Sequence, residues 1–137
     1  MPNTIIPPDV AAAYGSFAPE LRKSADAFRN EVIETIKAHP EIGELEETLK
    51  WGVPSYLSKR ANIGSTIRIA PVKNTNEIGM FFICTSGLMD EFREIYPDTF
   101  TYHGTRTLTL KRDLAECRDE LRHIIALALT SKLRKRK

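Results

Sequence analysis

The stretch Lys50-Trp51-Gly52-Val53-Pro54-Ser55-Tyr56 gathers the chain's one tryptophan, a lysine and a tyrosine around a glycine and a proline. Two amphipathic rings and a movable cation, held apart by a turn, are what a pocket for a flat or anionic ligand needs. A second reading is equally open: the turn ends a strand, and Trp51 fills the core between helix and sheet. Truncating a buried tryptophan costs about 3–5 kcal/mol, so packing alone would account for the residue. Two further stretches carry charge or hydroxyls where backbone is free. In His103-Gly104-Thr105-Arg106, with Arg68 on an earlier strand, Arg and His would form an anion clamp, or the segment is a hairpin turn with solvated side chains. In Cys84-Thr85-Ser86-Gly87-Leu88 a strand gives way to a helix, where free N–H groups and the Thr85 and Ser86 hydroxyls favour an anion. The same helix start would depress the Cys84 thiol toward a nucleophile or redox sensor, whereas the plainer reading is an N-cap beside an inert, buried thiol.

Other chemistries find little support. The seven glycines fall in neither phosphate-loop order, which argues against nucleotide hydrolysis. His39, His103 and His123 are scattered, with no paired spacing that would build a catalytic zinc site. Glu41, Glu44, Glu46 and Glu47 form the densest acidic run. Such a run binds hard cations weakly and more often makes a solvated edge. A non-enzymatic binding domain without a cofactor is therefore expected. Its small anionic or aromatic ligand would meet Lys50, Trp51, Tyr56, Arg68, Thr85, Ser86, His103 and Arg106.

The elements that would position these residues follow from periodicity. The prolines of the first nine residues predict an extended arm over 1–13. From Pro19, Leu21, Ala25, Phe28, Val32, Ile33 and Ile36 recur on one helical face, and His39-Pro40 closes that helix. Residues 45–51 alternate as a strand, although Glu47 falls on the apolar side. Residues 65–72 and 77–84 form a hairpin around Lys73-Asn74-Thr75-Asn76, and the second strand, apolar on both faces, belongs in the sheet centre. Leu88, Phe92 and Ile95 mark a short helix ending before Pro97. Residues 99–102 and 106–110 are short strands, and Asp113 with Glu116 reads as a capping box opening the last helix. Paired strands with tight turns predict an α+β fold: an antiparallel sheet of about five strands with N-terminal, middle and C-terminal helices packed on it.

At 137 residues the chain is the size of one domain, expected over 14–133. Its net charge of +2 conceals an asymmetry, because Lys132, Arg134, Lys135, Arg136 and Lys137 crowd the end and leave a body of −3, from 15 basic against 18 acidic residues. That body predicts no specific nucleic-acid surface, and 134–137 read as a solvated basic tail. Cys84 and Cys117 make no disulfide framework, and no signal-peptide or membrane-length apolar run occurs. A cytoplasmic, soluble protein is expected, with oligomeric state left open.

The segments LEETLKWGVPSYL, GSTIRIAPV, GMFFICTSGLMDEFREIYPDTFTYHGTRTLTL and LRHIIALALTSKLRKRK resemble the YdhG-like family of small bacterial domains of unknown function. The likeness runs from about Leu21 to the C-terminus, and its most specific parts are the Lys50-Trp51-Gly52-x-Pro54-x-Tyr56 box and the block from Phe92 to Gly104. It implies a compact α+β sandwich with no established catalytic activity. One branch is described as a frataxin-like iron chaperone acting through acidic surface residues. On this chain that alternative implies iron at Glu44, Glu46, Glu47, Asp90, Glu91 and Glu94. Where many relatives carry a Thr-Thr-Leu-Val helix start, this chain has Thr85-Ser86-Gly87-Leu88.

Overall fold

The computed structural model describes residues 5–83 and 86–135. Helix α1 (Pro8–Gly15) leads into the long helix α2 (Pro19–Ala38) and a 3-10 turn at Pro40–Ile42. Strands β1 (Leu45–Lys50), β2 (Val53–Ser58), β3 (Ile67–Pro71) and β4 (Ile78–Phe81) follow. Helix α3 (Leu88–Ile95), the hairpin β5 (Phe100–His103) and β6 (Thr107–Leu110), a 3-10 turn at Leu114–Glu116, α4 (Arg118–Leu129) and α5 (Ser131–Lys135) complete the chain. The six strands form one antiparallel sheet in the order β1-β2-β3-β4-β6-β5. This is the α+β class read from the sequence, with one strand more.

The period-2 alternation of the strands decides which residues meet the helices. Tyr56, Ile67, Ile69, Met80, Leu108 and Phe100 point to the core face and are buried, packed with Phe28 and Val32 of α2 and Leu121, Ile124 and Ala128 of α4. α2 begins with Pro19 in its first turn and ends at His39, just before Pro40, as its pattern predicts. Strand β4 lies between β3 and β6, the central place that its two apolar faces require. The long strand 65–72 of the sequence reading is anchored at its start by a close approach. A Cβ on Gly64 would stand 2.0 Å from the Leu129 carbonyl oxygen. The bare backbone lets Ser65 N–H donate to Ala128 O at 2.8 Å, and lets Ile63 O accept from Lys132 and Leu133. The register of β3, and with it Arg68, is thus tied to the end of α4.

Four expectations are corrected. The proposed extended arm contains α1, because Val10 and Tyr14 find core to bury against. Residues 45–51 are only the first half of a hairpin, whose return strand β2 carries Pro54 and Tyr56. Asp113 makes no side-chain cap: it precedes the 3-10 turn, and α4 opens at Arg118. Arg134 is no solvated tail residue, since it forks onto Glu91 at 2.7 and 3.0 Å and donates to Leu127 O at 2.8 Å.

Candidate functional site

The β1–β2 register pairs Lys50 with Val53, which leaves Trp51 and Gly52 as a two-residue turn. Both have positive φ, 57° and 74°, as a type I′ hairpin turn demands. Glycine and asparagine suit that geometry. For a tryptophan, the left-handed region costs about 1–2 kcal/mol, because Cβ crowds the following carbonyl oxygen. Burial does not offset that cost, for Trp51 is 92% exposed. The core-filling reading of Trp51 is therefore overturned. Neither packing nor turn geometry accounts for an indole at the hairpin tip.

Trp51 forms one wall of an open groove of about 500 Å³ on the sheet face opposite the core. Val53, Ala70, Phe81 and Ile83 line it with carbon, Phe82 borders it while its ring is buried in the core against Phe92, and Arg68 and Arg106 bring the only charges among the described lining residues. Sheet register explains the grouping. Arg68 of β3 stands between Ser55 of β2 and Phe81 of β4, all on one face. Beyond the end of β4, the Phe82 N–H donates to Arg106 O at 2.8 Å and holds that residue beside the groove.

Arg68 is the exceptional group. Its Nε is buried and has no hydrogen-bond partner among the described residues, nor does any carboxylate there reach its guanidinium. Ser55, its neighbour on β2, donates its Oγ–H to the Val53 carbonyl at 2.8 Å, and no hydrogen bond joins that hydroxyl to Arg68 Nε. A buried donor left unsatisfied costs about 1–3 kcal/mol, more when charged. Two other buried atoms share this state. Arg134 Nε belongs to a guanidinium whose terminal nitrogens already hold Glu91, and Asn30 Oδ1 is a neutral acceptor.

The predicted residues divide clearly. Trp51, Arg68 and Arg106 meet at the groove. Lys50 faces the same side opposite Val53, without lining the groove. His103 lies across Thr107 from Phe81, and its Nε2 is spent on Thr109 Oγ1 at 2.9 Å. Ser86 belongs to a different hollow beside α3; its hydroxyl donates to Ile83 O at 2.6 Å and accepts from the Leu88 N–H at 3.2 Å. Thr85 and Cys84 lie outside the described residues.

Tyr56 is corrected outright: it sits on the core face, fully buried. Its hydroxyl donates to Glu47 Oε2 at 2.8 Å and accepts from Tyr14. Glu47 in turn receives the Arg29 guanidinium, with Nη2 at 2.9 Å from Oε1. Its place on the apolar side of β1 is thus explained by a buried ion pair and a tyrosine. Burial, reinforced by Tyr14 and Glu47, pushes the Tyr56 phenol far above its ordinary range, and burial does the same to Tyr14.

Most of the acids proposed for iron are engaged. Glu44 pairs with Lys59 at 2.8 Å, Glu47 with Arg29, Asp90 with Arg93 at 3.8 Å and Glu91 with Arg134. Only Glu46 and Glu94 stand outside these pairs, on β1 and α3 respectively. Among the described residues, no three His, Cys, Asp or Glu side chains converge as a metal centre requires.

The sequence reading missed Val53, Ala70, Phe81 and Ile83 as groove lining. The signal was present in the apolar outward positions of β3 and β4, which a solvated sheet face would fill with polar residues. No family model matches the chain, and no curated protein or solved structure matches it. Among the described residues no helix is long and apolar enough to cross a membrane.

Proposed function

We propose that this protein is a non-enzymatic binding domain that takes a small anionic or aromatic ligand in the groove between Trp51, Arg68 and Arg106. The observation that carries the reading is the buried Nε of Arg68, without a partner among the described residues, on a side chain that lines a carbon-walled groove. An anion there would supply the missing acceptor. Apolar walls strengthen that contact by excluding water and receive the rest of the ligand. Trp51 adds a ring face at the mouth, suited to stacking or to closing over an aromatic body. The YdhG-like resemblance belongs to this proposal: the α+β class agrees with it, it implies no established catalytic activity, and the iron chemistry of one branch would draw on acids most of which are paired here.

Trp51 is the chain's one tryptophan and lies at the groove, so its emission reports on occupancy. Titration with a broad panel of carboxylates, phosphates and aromatic metabolites is expected to shift it for a subset. The same subset should lose at least tenfold in affinity in Arg68→Met. A flat response across the panel, in a protein shown to be folded by circular dichroism, would refute the reading.

A further inference from the structure

The composition of the groove narrows its ligand further, on the assumption that the groove is the binding site as proposed above. We infer that the ligand is a carboxylate carried on an apolar or aromatic body, gripped side-on by Arg68, and not a hydroxylated phosphate such as a sugar phosphate. The geometry of the guanidinium comes first. Nε–H and the neighbouring Nη–H lie in one plane as parallel donors, a spacing that matches two oxygens of a carboxylate or of a phosphate, so the walls decide between the two. In Arg68 the buried Nε is the donor without a partner, so the edge containing Nε is the one that needs an anion.

The walls make the second case. Six of the eight lining residues are Trp51, Val53, Ala70, Phe81, Phe82 and Ile83, and the other two are arginines. Among the described residues, no serine, threonine, asparagine, glutamine or histidine side chain lines the groove. A sugar hydroxyl carried below the Trp51 ring would lose its water and gain no partner, whereas a methylene or an aromatic edge loses nothing by entering. No carboxylate is among the described lining residues either, so a ligand with its own amine would meet like charge there. Arg106 supplies a second positive charge that draws the anion in.

Calorimetry with three probes tests this: 3-phenylpropionate, its neutral analogue 3-phenylpropionamide, and glucose 6-phosphate. The acid is expected to bind at least tenfold more tightly than either comparison compound. Arg68→Lys keeps the charge and removes the fork, and it should cost the acid at least tenfold while the amide changes less than threefold. Equal binding of acid and amide, or tighter binding of glucose 6-phosphate, would overturn the ligand class and leave the groove itself standing. Unchanged acid affinity in a folded Arg68→Lys would overturn the role of the fork. If none of the three binds and Trp51 emission stays fixed across the wider panel as well, the groove reading falls together with this inference.

Discussion

The two faces of the sheet treat arginine in opposite ways. On the core side, the Arg29 guanidinium closes on Glu47, which also receives Tyr56. Glu31, itself almost fully buried, takes Arg118 at 3.2 Å and Arg122 at 2.6 Å. On the far side, Arg68 lines the groove with Phe81, Val53 and Ala70, and its buried Nε meets no acceptor among the described residues. Where packing decides the sequence, charges are satisfied within the chain. Where they are left open beside carbon walls and an exposed indole, the proposed ligand would bring the complementary group from outside.

The strongest way to test this contrast is from the core side. Glu47→Leu would remove the carboxylate that both the Arg29 guanidinium and the Tyr56 hydroxyl use, and should lower the unfolding free energy by about 3–5 kcal/mol in urea. A cost below about 1 kcal/mol, the size expected of an exposed pair, would contradict a closed core network.

Alkaline pH probes the same network. Tyr14 and Tyr56 have folded pKa values raised above the ordinary value near 10. The unfolded chain therefore releases these protons first. Their contribution is complete below about pH 10 and falls as pH rises toward the folded values, by up to about 1.4 kcal/mol per group per pH unit. Urea midpoints measured between pH 9 and 11 should show a steep decline that Tyr14→Phe and Tyr56→Phe each flatten. A slope unchanged in both variants would mean that the phenols are not held as described.

On the open face the signs reverse. Arg68→Met removes an unsatisfied donor while keeping an unbranched side chain, and should raise stability by about 1 kcal/mol even as binding is lost. Destabilisation comparable to Glu47→Leu would erase the distinction between the faces. Smaller still, Trp51→Asn puts a residue that tolerates positive φ into the turn. A gain of about 0.5–1 kcal/mol in thermal unfolding is expected, where a loss would show that the indole packs.

Much of the scaffold was legible because apolar residues recur at the period of their element. The 3.6-residue stripe from Leu21 to Ile36 and the doubly apolar run at 78–83 fixed α2 and the centre of the sheet. What escaped depended on tertiary partners. α1 has a short, weakly patterned sequence, and its helix rests on burying Val10 and Tyr14. β2 was hidden because Trp51-Gly52 lacks the asparagine or aspartate that usually announces a two-residue hairpin, and because a proline sits inside the strand. The same hidden turn misplaced the site. A strand running out through Trp51 puts Tyr56 near the tryptophan, whereas reversal at Gly52 turns Tyr56 into the core and leaves Trp51 outside. Arg68 and Arg106 could be named as cations from sequence. That Arg68 has no acid beside it among the described residues is a fact of register, set by Ser55 on one flank and Phe81 on the other.

The central claim is that Arg68 Nε awaits an acceptor from a ligand, and its own N–H resonance is the direct probe. In ¹H–¹⁵N spectra of the side-chain region, addition of 3-phenylpropionate should move the Arg68 Nε–H signal downfield and slow its exchange with water. Arg29, already held by Glu47, should stay in place. If the Arg68 signal is unmoved while the acid binds, as judged by calorimetry, then the ligand is held elsewhere and the account of the open face is wrong.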